Sequence, residues 1–223
     1  MNPRRLLLAT LFAAAMGYLE SAVVVYLRLL YYPRGFDFPL VPLPGSIVGI
    51  EVAREAATLV MLVTAGALIG RTAWSRFGWL CFLFGAWDLV FYAGLKVALG
   101  WPASLLTWDI LFLIPVTWTG PVLAPVITSL ALIGGGLCIV HFEEERAEHV
   151  QVLALDWVFV AASLALQLAA YTANHGRVAG GGLPGAFPWA IFLTGVALGV
   201  GTLVKALARN PRVDAARPRH SRP

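Results

Sequence analysis

The sequence has few charged side chains for its length. Aspartate, glutamate, lysine and arginine make up 13% of 223 residues, whereas 59% are hydrophobic; soluble domains carry about 25% charged residues. The long apolar runs between the charges are typical of helices that cross a membrane. These proportions exclude a soluble globular protein and predict an all-α integral membrane protein.

Cysteine, histidine and signature motifs are also scarce. The two cysteines lie in separate apolar runs, so neither a disulfide framework nor a cysteine-ligated zinc site is expected. No histidine falls within a predicted span, which argues against haem or a di-iron centre held between helices. The Walker A, HExxH, GxSxG and GxGxxG patterns are missing from the sequence. The sequence therefore names no cofactor and predicts no metal site.

Six apolar runs are long enough to form a six-helix transmembrane bundle, since one span takes about 20 residues. They cover residues 6–30, 46–70, 77–99, 121–140, 152–172 and 189–207. The first run is longer than the apolar core of a signal peptide, so we interpret it as an uncleaved span. Lysine and arginine lie mainly on one side of this arrangement, which predicts a bacterial inner-membrane protein with both termini in the cytoplasm. We expect one transmembrane domain over 1–208 and a disordered basic tail over 209–223.

The stretch from Gly100 to Gly120 fits neither a full span nor a simple loop. Trp101-Pro102 and Pro115 bracket residues 103–114, which as a helix would be too short for a hydrocarbon core of about 30 Å. We predict a short re-entrant or interfacial helix here, before the fourth span. Irregular backbone at membrane depth needs cover by protein, so this segment is expected to pack over polar residues of the neighbouring spans.

Ionisable side chains inside the spans are the strongest indication of a functional site. Glu51, Arg54 and Glu55 are spaced to lie on one face of a helix. At about 1.5 Å per residue, the charges within the first three spans all fall in the outer half of the bilayer. The predicted substrate-binding or ion-binding residues are Glu20, Glu51, Arg54, Glu55, Asp88, Tyr92, Lys96 and Asp109. No catalytic residue is assigned among them.

Negative charge is in excess in this region. The five acids of that set face three cations, Arg28, Arg54 and Lys96. Unpaired charge is costly at membrane depth, so the excess must be neutralised by protonation, a bound cation or water. The competing hypothesis is that the charges only hold the helices together.

Histidines outside the spans offer weaker candidates. His141, Glu145 and His149 share a helical face and are able to hold a metal, but a solvated charged turn explains them more simply. His175, in a glycine-rich loop, is either a base or ligand over the charged residues or an exposed loop residue.

Three classes of function stay open. The leading expectation is a small transporter or an ion- or proton-coupled carrier, because unbalanced carboxylates beside a broken segment recur at such sites. The alternatives are an enzyme acting on a lipid or isoprenoid, and a subunit of a larger membrane complex. In the enzyme, Glu51, Asp88 or Asp109 would be the acid or base, and Arg54 and Lys96 would hold an anionic head group.

The expected partners follow from the same features. They are the lipid bilayer, a small cation, proton or lipid ligand, and a homo-oligomer or larger membrane complex. No nucleic acid is expected, because the positive-inside bias accounts for the formal charge of +4.

Overall fold

A computed structural model describes residues 2–145 and 150–209 of the chain. The elements in these residues are α1 (Pro3–Tyr31), α2 (Gly45–Ile69), α3 (Ala73–Leu99), β1 (Trp108–Phe112), β2 (Trp118–Pro121), α4 (Leu123–Glu145), α5 (Ala154–Thr172), α6 (His175–Ala179) and α7 (Trp189–Ala208). Among the described residues, six helices, all but α6, are long and apolar enough to cross a membrane. This confirms the predicted helical spans and indicates a multi-pass membrane protein.

Consecutive spanning helices run in opposite directions, so their ends meet at two opposite sides of the bundle. At one side, Arg5 near the start of α1 contacts Glu144 at the end of α4. At the same side, Asp156 at the start of α5 contacts Arg209, which follows α7. We call this side the terminal end and the other the hairpin end. Arg209 is the one described residue of the predicted tail; residues 210–223 lie outside the described part of the chain.

The helices form two packed groups that α4 joins. In one group, α3 packs against α1, α2 and α4; in the other, α5 packs against α7, which also contacts α4. Small residues allow this close packing. A Cβ added at Gly85 of α3 would lie 2.4 Å from the Ser129 carbonyl oxygen of α4, and one at Gly195 of α7 would lie 3.0 Å from that of Ser163 in α5.

The segment before α4 forms a β-hairpin, so the predicted helix over 103–114 is wrong. Strand β1 pairs antiparallel with β2, placing Asp109 opposite Gly120 and Phe112 opposite Trp118. A short apolar run fits a helix and a strand equally well by periodicity. The hairpin forms because each strand pairs with the backbone polar groups of the other, and such pairing is needed where water is scarce.

Candidate functional site

A cavity of about 1160 Å³ lies between the two groups of helices. Residues of α3, α4, α5 and α7 line much of it, and residues of the β-hairpin line it at the hairpin end. The lining from α1 and α2 is confined to residues 20–31 and 51–58, toward the hairpin end. Most of the lining side chains are apolar, among them Phe84, Leu132, Val160, Val196 and Leu203.

Aromatic pairs cross the cavity near both of its ends. Toward the terminal end, Trp74 of α3 stacks on Trp157 of α5 with ring centroids 5.9 Å apart. Toward the hairpin end, Trp118 of β2 stacks on Tyr171 of α5 at 5.7 Å. Trp157 and Leu164 line the cavity and are also 55% and 63% exposed. The cavity is therefore open sideways along α5, where a membrane protein meets lipid.

Arg54 is the centre of a charged network at the hairpin end. Its guanidinium contacts the carboxylates of Glu20 and Glu51, and the second contact is 2.8 Å long. The Thr58 hydroxyl also donates to Glu20. Because Glu20 belongs to α1 and the other residues to α2, the network joins two helices at membrane depth.

A second ion pair joins α1 to the hairpin. Arg28 donates a hydrogen bond of 2.7 Å to Asp109, and the Tyr92 hydroxyl of α3 donates one of 3.3 Å to the other carboxylate oxygen. The Arg28 guanidinium carbon also lies 3.7 Å from the ring centroid of Trp101, a cation–π contact. Asp109 lies outside the six spanning helices; its burial raises its pKa, and the neighbouring Arg28 opposes that rise.

Two carboxylates have only neutral hydrogen-bond partners. Glu55 accepts the backbone N–H of Leu113 with both oxygens, at 2.9 and 3.1 Å. Asp88 accepts the Ser129 hydroxyl at 2.8 Å. Both side chains are buried, and within residues 2–145 and 150–209 neither forms an ion pair. These two acids are therefore the groups of the site best able to bind and release a proton.

The cavity brings seven of the eight predicted site residues together. The lining includes Glu20, Glu51, Arg54, Glu55, Asp88, Tyr92 and Asp109, along with Arg28. Lys96 is exposed and lies away from this lining. Its ammonium group donates to the carbonyl oxygens of Gly100 and Pro102, at 2.9 and 2.8 Å, and so caps the end of α3. With Lys96 outside the network, the excess of carboxylates is larger than the sequence alone indicated.

Sequence reasoning missed a neutral polar group on the α4 and α5 side of the cavity. Thr128 shares a hydrogen bond of 2.9 Å with the Tyr171 hydroxyl and donates to the Gln167 side-chain oxygen at 3.4 Å. Gln167 in turn donates to the Ser163 hydroxyl at 3.3 Å. All four residues line the cavity. Their signal in the sequence was the spacing of Ser163, Gln167 and Tyr171, four residues apart on one helical face.

The histidine candidates are His175, which lies apart from the cavity, and the group of His141, Glu145 and His149, which is only partly described. His149 and the side chain of Glu145 lie outside the described part of the chain. Among the residues that are described, no group of three or more His, Cys, Asp or Glu side chains is placed to hold a metal ion. His175 begins α6 at the hairpin end and does not line the cavity.

Comparison of the chain with protein-family models, curated proteins and solved structures gives no match. The geometry and chemistry of the cavity therefore carry the functional proposal.

Proposed function

We propose that this protein binds one amphipathic lipid inside the membrane and acts on its polar end by acid–base chemistry. The observation that carries the proposal is the division of the cavity into a long apolar part and a charged part at the hairpin end. The one charged lining residue at the terminal end, among the described residues, is Asp156, which is paired with Arg209. Drug-sized ligands occupy pockets of about 300–1,000 Å³, so a cavity of about 1160 Å³ is far larger than an ion needs. The distribution of apolar and charged side chains in the cavity matches a ligand that has a hydrocarbon chain and one polar end.

The sideways opening supplies the entry route. Trp157 and Leu164 belong both to the cavity lining and to the exposed surface of α5. A lipid can therefore enter from the bilayer without its chain passing through water, which would be costly for so much apolar surface.

Asp88 is the residue to which we assign the acid–base role. It lines the cavity and its hydrogen-bond partner is the neutral Ser129 hydroxyl, whereas Glu20, Glu51 and Asp109 each contact an arginine. An acid held by an arginine is kept charged, and a general acid must be able to carry a proton. Glu55 is the second candidate for this role.

The excess of carboxylates also favours a second candidate function, a proton-coupled carrier of the same kind of lipid. In that case Asp88 and Glu55 would bind protons while the lipid moves, and the lipid would leave unchanged. This candidate keeps the same binding site and differs only in the fate of the ligand.

The test is mass spectrometry of lipids that co-purify with the full-length protein. Ala131 lines the cavity, and Ala165 is exposed on α5 outside the lining, so Ala131→Phe fills the cavity and Ala165→Phe is the matched control. We expect one lipid class in the wild type and in Ala165→Phe, and its loss in Ala131→Phe. Equal retention by both variants, or no retained lipid in the wild type, would contradict the proposal.

The same preparation separates the enzyme from the carrier. For an enzyme, Asp88→Asn should retain a lipid that differs from the wild-type one in mass or, for an isomer, in chromatographic retention, because the substrate accumulates when its conversion stops. For a carrier, the retained lipid should be the same by both measures in the two proteins.

A further inference from the structure

Three residues that line the cavity each carry a buried N–H donor with no acceptor among the described residues. The donors are Nη1 of Arg28, Nε1 of Trp87 and Nε1 of Trp118. Arg28 and Trp87 are each only 6% exposed. Buried polar atoms of folded proteins are nearly always paired. The donors therefore indicate that a bound ligand brings acceptor atoms to this part of the cavity.

The charges nearby restrict which acceptor fits. Arg54 contacts Glu20 and Glu51, and Arg28 contacts Asp109, so both arginines are already matched by carboxylates. An anionic head group would add negative charge to a site that already has an excess of it. A cationic ammonium has no acceptor to offer the three N–H groups. A neutral oxygen acceptor satisfies the donors and adds no charge.

Aromatic rings lie beside the two tryptophans and restrict the shape of the head group. Phe112 lies 5.7 Å from Trp118 and 6.4 Å from Trp87 between ring centroids, and it stacks on Phe84 at 6.3 Å. All four rings line the cavity. Offset and edge contacts between rings favour a flat conjugated partner over a saturated one.

Arg28 and Trp118 contact different ends of β1. Arg28 donates to Asp109, and Trp118 pairs with Phe112. Asp109 and Phe112 are three residues apart on β1. Three residues of a strand span about 10 Å. A ring with acceptor oxygens on opposite sides can reach both donors.

From these observations we infer that the polar end of the bound lipid is a neutral, conjugated carbonyl group, of the kind found in a quinone with an isoprenoid tail. Trp118 and Arg28 donate hydrogen bonds to its carbonyl oxygens, and the ring lies among Phe84, Trp87 and Phe112. This inference rests on the proposed function, because it assumes that the apolar part of the cavity holds the lipid tail.

Three probes with the same tail test the head group. They are a decyl-substituted para-benzoquinone, decyl phosphate and decylamine, each titrated into the full-length protein in nanodiscs. We expect the quinone to bind at least tenfold more tightly than either of the others. Tighter or equal binding of the phosphate or the amine would overturn the inference of a neutral carbonyl head group, but it would not contradict the lipid site. Failure of all three to bind would count against the lipid site as well.

Trp118→Phe removes one donor and keeps an aromatic ring. We expect it to weaken quinone binding roughly three- to tenfold, the range for one hydrogen bond, and to leave decylamine binding unchanged. The control is Trp189→Phe, since Trp189 packs on Phe187 outside the cavity lining. Equal quinone affinity in Trp118→Phe and Trp189→Phe would overturn the assigned role of Trp118.

Infrared difference spectra of the wild type give a test that needs no variant. The carbonyl stretch of a ¹³C-labelled quinone should move to lower frequency on binding, because a hydrogen bond weakens the C=O bond. A bound quinone with the carbonyl frequency of the free lipid in the same nanodiscs would overturn the inference.

Discussion

Arg28 and Asp109 form a buried ion pair of 2.7 Å, although 81 positions separate them in the chain. The pair links β1 to α1 and thereby positions the hairpin at the charged end of the cavity. Side-chain exposures of 7% and 1% place both partners away from solvent. A pair this deeply buried is costly to break from one side only.

We expect Asp109→Leu to destabilise the protein by about 3–5 kcal/mol, because it leaves the buried Arg28 charge without its partner. The double variant Arg28→Met/Asp109→Leu removes both charges and should recover part of that loss. The measurement is a double-mutant cycle on unfolding in detergent. Additive effects of the two substitutions would show that the residues are not coupled.

Arg54 should matter more to stability than any one of its acidic partners. It contacts both Glu20 and Glu51 and cannot lose its charge, whereas a carboxylate that loses its partner can take up a proton. Arg54→Met should therefore lower detergent thermostability more than Glu20→Gln or Glu51→Gln, and Arg54→Lys should fall between them. Wild-type thermostability in Arg54→Met would show that Arg54 is not the centre of a coupled network.

The spans were predictable from the sequence because twenty or so apolar residues have few alternatives to a membrane helix. Five of the six predicted runs match α1, α2, α3, α5 and α7 to within four residues at each end, and α4 continues five residues beyond the fourth run. The side of the membrane that each end faces stays a prediction, as do the domain bounds and the oligomeric state. The hairpin was not predictable, since the loop between Trp108–Phe112 and Trp118–Pro121 contains no glycine or asparagine of the kind that indicates a hairpin turn.

The charged residues of the site were predictable because charge stands out in an apolar span. Seven of the eight line one cavity, since their helical spacing and similar depth place them together. Lys96 was assigned to the site together with the other charges of the first three spans. It lies near the end of α3, where its long side chain reaches the carbonyl oxygens of Gly100 and Pro102. The apolar part of the cavity could not be predicted, because lipid-facing and cavity-facing leucines look the same in a sequence.

Cysteine labelling tests the hairpin. Ser104 is exposed in the segment before β1, whereas Thr119 within β2 is 0% exposed. In Ser104→Cys the thiol should react with a membrane-impermeant maleimide added from the periplasmic side, and in Thr119→Cys it should react only after unfolding. Equal labelling of both would contradict the packed hairpin, and labelling of Ser104→Cys from the cytoplasm would contradict the predicted orientation.

The close contact of α3 with α4 should not tolerate a side chain at Gly85. An added Cβ would lie 2.4 Å from the backbone oxygen of Ser129, so Gly85→Ala should cost roughly 1–3 kcal/mol through overpacking. Gly134 on α4 is the matched control, because an added Cβ there meets nothing within 4 Å. Detergent unfolding should show Gly134→Ala at or above wild-type stability, because alanine favours a helix more than glycine does. Equal losses at both positions would contradict overpacking at Gly85 as the cause.

The most direct test of the lipid cavity compares two neighbouring positions on α4. Leu132 lines the cavity, whereas Leu130 is 56% exposed on the outer surface. A photo-crosslinking amino acid, p-benzoylphenylalanine, replaces each in turn, and the protein is irradiated after purification in detergent. We predict an adduct of one lipid mass at position 132 and only detergent adducts at position 130. Detergent adducts alone at both positions would contradict a lipid bound within the cavity.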